Sequence, residues 1–114
     1  TYADLNEAVG RTASRLLSLG LGPGDRVATW MGKTRLACVM PLAAARAGLV
    51  HVPINPLLRR AQAEHILADS GAKLLVANRA RLDSLGATEA QSVAPEDWQD
   101  GEEALPLSIR DPAE

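Results

Sequence analysis

The hydrophobic positions of this chain change repeatedly between helical and strand spacing, and glycines separate the segments. The first segment runs to about Leu19 with helical spacing, and Thr1 and Asp4 at its start are spaced as a capping box. Gly20 is the expected stop of this helix. Its predicted apolar face comprises Leu5, Ala8, Val9, Thr12, Ala13, Leu16 and Leu17.

Three short apolar runs follow as predicted strands, and helical segments separate them. The strands are Arg26–Trp30, the run between Ala47 and Pro56, and Lys73–Ala77; the later helices are about Thr34–Ala47, Ala61–Ser70 and, shorter, Asn78–Gly86. Ser92 and Val93 are interpreted as a brief fourth strand. Strands that alternate with helices favour right-handed crossovers and parallel pairing. The prediction is an α/β fold with three αβα layers and a parallel sheet of at least three strands.

The stretch from Ala47 to Pro56 sets the frame for the other elements. Gly48 suits the left-handed turn that closes a helix, and strand-forming residues follow it. Pro53 lacks an N–H, so this strand either stops pairing there or lies at a sheet edge. We interpret it as the middle strand of the α/β unit.

The helix before this strand is apolar nearly all round and is predicted to be buried. Pro41 lies inside it, and the only charges are Arg35 and Arg46, near its two ends. Cys38 is the single cysteine and cannot form an internal disulfide. A small core residue is the favoured interpretation of Cys38, and a nucleophile is the alternative.

Charge divides the chain unevenly. The segment Thr88–Glu114 has a net charge of -7 against -2 for the whole chain, so the remainder carries +5. A basic body suits a phosphate-bearing ligand, but solvated helix faces are the favoured interpretation because the arginines are scattered. We therefore predict a partial α/β domain at 1–87 and an acidic, mostly irregular segment at 88–114, with Leu105, Leu107 and Ile109 docking back on the body.

The sequence carries few patterns of catalytic or metal-binding residues. One cysteine and two histidines cannot complete a tetrahedral metal site without suitably spaced carboxylates. The glycine run from Gly20 to Gly24 follows a helix and opens a strand, whereas a phosphate-binding loop has the reverse order. His65 and Asp69 are interpreted as an exposed helix pair, and His51 as a strand-face residue rather than a base.

The composition does not indicate nucleic acid or a membrane as a partner. The two tryptophans accompany no basic stripe, so nucleic acid is not expected as a partner. No apolar run reaches the roughly 20 residues needed to cross a bilayer, and a basic, apolar leader is lacking at the start. A cytoplasmic location is the default expectation, and the absence of an opening Met suggests a piece of a longer protein.

Four stretches, in this order and at this spacing, resemble the start of the adenylate-forming (AMP-dependent) enzymes, which include acyl-CoA synthetases, peptide-synthetase adenylation domains and luciferases. They are Thr1–Asn6, Leu19–Ala28, Ala47–Pro56 and Ile66–Val76. The resemblance covers about Thr1 to Leu85. The run Pro53–Leu58, with Arg81 and Leu82, also resembles an acyl-CoA ligase subgroup associated with exosortase systems.

The resemblance implies a two-step reaction for the parent enzyme. ATP and a carboxylic acid form an acyl-adenylate, and coenzyme A then takes the acyl group. ATP, Mg²⁺ and CoA are thus implied for the full-length enzyme, with the rest of the parent ligase as this chain's partner. The family's catalytic motifs lie further along such chains, so no catalytic residue, bound cofactor or metal is expected here, and the chain alone is expected to be inactive.

One binding role is implied by the same resemblance. In some relatives, arginines just after the third strand contact the phosphates of the CoA nucleotide, and Arg79 and Arg81 have that place here. Ordinary surface arginines are the alternative, and Arg59 and Arg60 have a weaker case. The rival function is a stand-alone α/β binding or interaction module. Exposed sheet edges would also allow self-association.

Overall fold

A computed structural model describes residues 1–85, 88 and 90–98 of the chain. Helices and strands alternate through this part as predicted. In chain order they are α1 (Tyr2–Ser18), β1 (Arg26–Trp30), α2 (Arg35–Arg46), β2 (Val50–Pro53), α3 (Arg60–Ser70), β3 (Leu74–Ala77), α4 (Arg79–Leu85) and β4 (Gln91–Val93). A 3-10 helix, Pro95–Asp97, follows β4.

Local sequence signals set the ends of the helices. At the start of α1 the Thr1 hydroxyl accepts a hydrogen bond from the Asp4 N–H at 3.2 Å, and the Asp4 carboxylate accepts one from the Thr1 amino group at 3.3 Å. This is the predicted capping box. Thr34 caps α2 by accepting from the Ala37 N–H at 3.1 Å. Gly48 has a φ of 77° just after α2, the left-handed turn expected of a helix stop.

All pairings between the described strands are parallel, and the order across the sheet is β2-β1-β3-β4. Ala28 of β1 lies between Val52 of β2 and Leu75 of β3. Leu75 in turn lies beside Ser92 of β4. The predicted parallel α/β sheet is confirmed, with four strands in the described part of the chain.

The interpretation of β2 as the middle strand is wrong. The crossover through α3 passes β1 and places β3 on the far side, so β1 and β3 are the inner strands and β2 lies at an edge. Pro53 is the last residue of β2, and its missing N–H is tolerated at an edge. The edge position that the proline allowed is therefore the correct one.

This reversal of direction also explains the three layers. Right-handed crossovers that run in opposite directions along a sheet place their helices on opposite faces. The core accordingly has two parts: Leu74 and Val76 pack with the α1 and α2 layer, whereas Leu75 and Ala77 pack with α3 and α4. The predicted αβα arrangement is confirmed.

The predicted burial of α2 on all sides is wrong. Val39 and Met40 are buried against the sheet, but Leu42 is 51% exposed and Cys38 is also exposed. Cys38 and Leu42 are four residues apart, so they share the helical face that points away from the sheet. Cys38 is therefore not a core residue within the described structure.

In α1 the buried residues also extend over a shorter stretch than the predicted apolar face. Val9, Ala13 and Leu16 are buried, but Leu5, near the start of the helix, is 43% exposed. In the part of the chain that the structure describes, none of the helices is long and apolar enough to span a membrane. The predicted docking of Leu105, Leu107 and Ile109 falls outside the described residues, and the division at residue 87 stays a prediction.

Candidate functional site

The candidate site is the edge of the sheet where the parallel strands end. In doubly wound sheets, ligands bind beyond the carboxyl ends of the strands, where the direction of strand order reverses. Here the reversal lies between β1 and β3, because β2 is added on one side of β1 and β3 on the other. Trp30 ends β1, and Asn78 directly follows β3. Arg79 and Arg81, the predicted site residues, lie in α4 at this same point.

Arg81 ties three strand ends together. Its Nη1 donates to Asn78 Oδ1 at 2.9 Å, and its Nη2 donates to the carbonyl of Pro56 at 3.1 Å. The guanidinium carbon lies 5.6 Å from the centre of the Trp30 ring, within range of a cation–π contact. Arg81 thus holds the ends of β1, β2 and β3 in a fixed relation.

Arg79 is more available. Its backbone N–H donates to Glu96 Oε2 at 3.3 Å, and its guanidinium forms an ion pair with Asp97. Both side chains of the ion pair are more than half exposed. Exposed pairs of this kind contribute about 0–1 kcal/mol, so a phosphate could replace the carboxylate at small cost. The acidic residues after β4 therefore lie directly against the predicted basic site.

The partners of these arginines were missed at the sequence level. Asn78 and Pro56 read as ordinary turn residues, and Trp30 as the end of a strand. Only the acidic composition of the last segment hinted that a basic residue would have carboxylates beside it. Sequence separations of 25 residues for the Arg81 contact and 18 for the Arg79 ion pair explain why neither could be read from local spacing.

His51 lies on the edge strand β2, on the sheet face that it shares with Thr29 of β1. The distance between His51 Nε2 and Thr29 Oγ1 is 2.7 Å, which makes a hydrogen bond between β2 and β1. Partial burial lowers the pKa of His51 below 6.5, the ordinary value, because burial disfavours the imidazolium. The strand-face position predicted for His51 is confirmed.

This burial predicts a pH dependence of stability. A histidine whose pKa is lowered by folding stabilises the protein fully above pH 6.5, and the contribution is lost as the pH falls through the folded-state pKa. We expect the free energy of unfolding, measured with urea at a series of pH values, to fall below pH 6.5. His51→Gln should make this fall shallower, and His65→Gln, an exposed control on α3, should not. Equal pH dependence in wild type and His51→Gln would contradict the prediction.

The glycine-rich turn before β1 lies at the amino-terminal ends of the strands, opposite the candidate site. The Gly22 N–H donates to Asp25 Oδ2 at 2.7 Å, and the Gly24 N–H donates to the carbonyl of Gly48 at 2.8 Å. Lys73 adds an ion pair with Asp25 at 3.4 Å. The turn's amides are therefore engaged within the protein, in agreement with the prediction that this run is no phosphate loop.

Two concave regions lie near these elements, one at the amino-terminal ends of the strands and one between α1 and α2. A cavity of about 790 Å³ lies at the amino-terminal edge of the sheet, between Leu21, Leu67 and Lys73. A groove of about 650 Å³ separates the first turns of α1 from α2, with Trp98 at one end. Within residues 1–85, 88 and 90–98, no group of three or more His, Cys, Asp or Glu residues is placed to hold a metal ion. His65 and Asp69 are both exposed.

Comparison with known proteins identifies the family. The family model for AMP-binding enzymes matches residues 1–111. FadD13, a long-chain-fatty-acid–CoA ligase of Mycobacterium tuberculosis, is 37% identical over 101 residues, which are 86% of this chain and 20% of FadD13. ACSF2, a mitochondrial medium-chain acyl-CoA ligase of Homo sapiens, is 41% identical over 76 residues, which are 67% of this chain and 12% of ACSF2.

Solved structures give the same answer. A fatty acyl CoA synthetase of Mycobacterium tuberculosis superposes with a TM-score of 0.79 at 31% identity, over 85% of this chain and 21% of that protein. The N-terminal domain of FACL13 from the same organism gives a TM-score of 0.80, also at 31% identity, and the match covers 27% of it. The chain thus spans a fifth or less of FadD13 and ACSF2. It belongs to the family of AMP-binding enzymes, the adenylate-forming superfamily that its four sequence stretches resemble.

Proposed function

We propose that the chain is the N-terminal portion of an AMP-forming acyl-CoA ligase. The observation that supports this most directly is the family match over residues 1–111 together with acyl-CoA ligase relatives at 37–41% identity. In the parent enzyme, ATP and a carboxylic acid would give an acyl-adenylate and pyrophosphate. The CoA thiol would then displace AMP and form the thioester. A stand-alone binding module is not favoured, because these relatives are ligases of which the chain covers a fifth or less.

The chemistry explains why such an enzyme needs more than this chain. A carboxylate oxygen is a poor leaving group. Attack of the carboxylate on the α-phosphate of ATP would release pyrophosphate and attach AMP to that oxygen, and AMP is a good leaving group. The reaction requires stabilisation of charge at the α-phosphate, which donors and Mg²⁺ supply in such sites. The described residues bring together no set of ligands suited to Mg²⁺. We therefore assign this chain a scaffold and positioning role in the parent enzyme and expect no turnover from the chain alone.

A transplant experiment tests the proposal. In a hybrid, this chain replaces the matching 101 residues of FadD13. We expect the purified hybrid to catalyse ATP–pyrophosphate exchange that depends on an added fatty acid. The isolated 114-residue chain, assayed in parallel, should show no exchange with any carboxylic acid.

The controls separate folding from function. Circular dichroism melting establishes that the hybrid unfolds cooperatively, and unmodified FadD13 sets the reference rate. A folded hybrid without exchange activity would contradict the proposal, and so would exchange catalysed by the isolated chain. The exosortase-associated subgroup stays a prediction. A panel of carboxylic acids in the same assay would identify the acid that the parent enzyme activates.

For the CoA nucleotide we propose Arg79 as a direct phosphate contact. It lies at the carboxyl end of β3 and is more than half exposed, and among the described residues it is held only by an exposed ion pair with Asp97 and a backbone contact to Glu96. A guanidinium suits bidentate phosphate binding. Arg81 is proposed as a second contact, because five N–H donors leave capacity beyond its bonds to Asn78 and Pro56.

The proposal predicts a selective defect. In the hybrid, Arg79→Ala should raise the KM for CoA about tenfold, since a charge-assisted hydrogen bond contributes about 1.5–3 kcal/mol. ATP–pyrophosphate exchange, which needs no CoA, should be unchanged. Lys73→Ala is the matched control, because Lys73 is also exposed and ion-paired, here with the partly buried Asp25, but lies at the amino-terminal ends of the strands. An unaltered KM for CoA, or an equal loss in the exchange reaction, would contradict the assignment.

Two further proposals concern the surroundings of the chain. We propose a cytoplasmic location for the parent ligase, in keeping with the sequence expectation. The isolated chain has strand edges at β2 and β4 that are unpaired within the described structure. Open edges associate readily, so we propose that the isolated chain self-associates, which light scattering measures directly.

A further inference from the structure

The outward side of α2 is an uninterrupted apolar stripe. Cys38, Pro41, Leu42 and Ala45 are all exposed and follow the spacing i, i+3, i+4, i+7. This spacing gives an apolar face about 100° wide, which a helix ordinarily turns towards a core. We call these four residues the outer α2 face. None of them carries a charge, so contact with water does not stabilise this face.

The other sides of α2 are already occupied. Val39 and Met40 pack in the core between α2 and the sheet. Arg46, although charged, is only 7% exposed, and its guanidinium donates to the Asn6 carbonyl and to Asn6 Oδ1 on α1. The outer α2 face is therefore a second apolar side of a helix whose first apolar side is filled.

The strand that follows α2 leaves a second open feature beside this face. α2 packs against β2, which is an edge strand of the described sheet, and the outer side of β2 has no pairing partner among the described residues. Val50 does not extend the outer α2 face, because it shares the sheet face of Val52, which packs with α3. An unpaired strand edge beside an apolar helix face favours association with another segment.

We propose that the outer α2 face is an internal docking surface, covered in the parent ligase by the remainder of its N-terminal domain. This inference rests on the proposed function. The chain matches 27% of the FACL13 N-terminal domain, so nearly three quarters of a domain of that kind must pack around it. The occupant presents apolar side chains, because the outer α2 face offers no charge or side-chain hydrogen-bonding group beyond a thiol.

The size of the surface favours an intramolecular occupant over a second copy. A stable interface between separate chains buries roughly 800 Å² on each partner. Four side chains, of which three are small, provide only a fraction of this area. A covalently linked segment needs far less area, because linkage raises its effective concentration to about the millimolar range.

Cys38 supplies a probe of this surface, since it is the single cysteine of the chain and is exposed. The experiment measures the rate at which a maleimide labels Cys38, followed by mass spectrometry of the Cys38 peptide. It compares the isolated chain with the FadD13 hybrid. We expect labelling in the hybrid to be slower by about tenfold or more, because the thiol reacts only when the covering segment opens.

Each outcome bears on the proposal. Equal labelling rates in a hybrid that catalyses exchange would overturn the docking surface and leave the proposed function standing. Protection of Cys38 in a folded hybrid without exchange would support the docking surface and contradict the proposed function. Protection of Cys38 that appears in the isolated chain as its concentration rises would identify a second copy as the occupant and overturn the proposal. A dimer in which Cys38 reacts at the monomer's rate associates through a strand edge and leaves the proposal standing.

A second measurement needs no hybrid. The isolated chain should enhance the fluorescence of an apolar dye such as anilinonaphthalene sulfonate, and Leu42→Gln should reduce the enhancement at least about twofold. Leu5→Gln is the matched control, because Leu5 is similarly exposed on α1 but the apolar face that continues from it is buried at Val9, Ala13 and Leu16. Equal dye binding by the two variants would overturn the assignment of an apolar surface to α2.

Discussion

Leu75→Ala is expected to lower the free energy of unfolding by about 3 kcal/mol, within the usual range for a buried leucine. Leu75 is fully buried on an inner strand, on the face covered by α3 and α4. The loss combines the transfer free energy of the removed methyl groups with the cavity that the neighbours cannot refill. Urea denaturation followed by circular dichroism measures it. A decrease of this size is a large part of the 5–15 kcal/mol typical of a domain.

The adjacent leucine makes this a test of the architecture. Leu74 is equally buried but faces α1 and α2, so Leu74→Ala should cost about as much as Leu75→Ala. Leu42→Ala, on the exposed side of α2, should cost well under about 1 kcal/mol. If the sheet were covered on one face only, one of the two substitutions on β3 would lower the free energy of unfolding strongly and the other only slightly. That result would contradict the three-layer fold.

Arg46→Ala is expected to destabilise the protein by about 2–3 kcal/mol, since hydrogen bonds to charged groups contribute about 1.5–3 kcal/mol. The Arg46 guanidinium is buried between α2 and α1, with Nη1 at 3.1 Å from the Asn6 carbonyl and Nη2 at 2.9 Å from Asn6 Oδ1. Its removal also takes away the packing of a long side chain. Thermal and urea denaturation should both report the loss.

The other end of the same helix provides the control. Arg35 is exposed at the first position of α2, so Arg35→Ala should change stability by less than about 0.5 kcal/mol. A double-mutant cycle with Asn6→Ala isolates the side-chain contact, for which we expect a coupling of about 1 kcal/mol. Equal effects of Arg35→Ala and Arg46→Ala would show that Arg46 does not join the two helices.

Most element positions could be predicted because their signals are local. The capping box at Thr1 and Asp4 and the glycine at 48 act within a few residues of themselves. Period and composition then separate helices from strands. The candidate site was predicted in part: Arg79 and Arg81 do lie at the carboxyl ends of the strands, but their contact with CoA stays a prediction. Their partners in the structure were not anticipated, because those contacts join distant segments.

The sequence by itself determined the order and type of the elements and, through four stretches in register, the family. Tertiary structure alone decided that β2 lies at an edge, that Arg46 is buried while Cys38 is exposed, and that Arg81 contacts the Trp30 ring. The physical reason is that periodicity specifies which side of a helix or strand is apolar, but not which neighbour covers that side. The α3 crossover made β1 an inner strand, and the layers in the described part of the chain cover only one of the two apolar sides of α2.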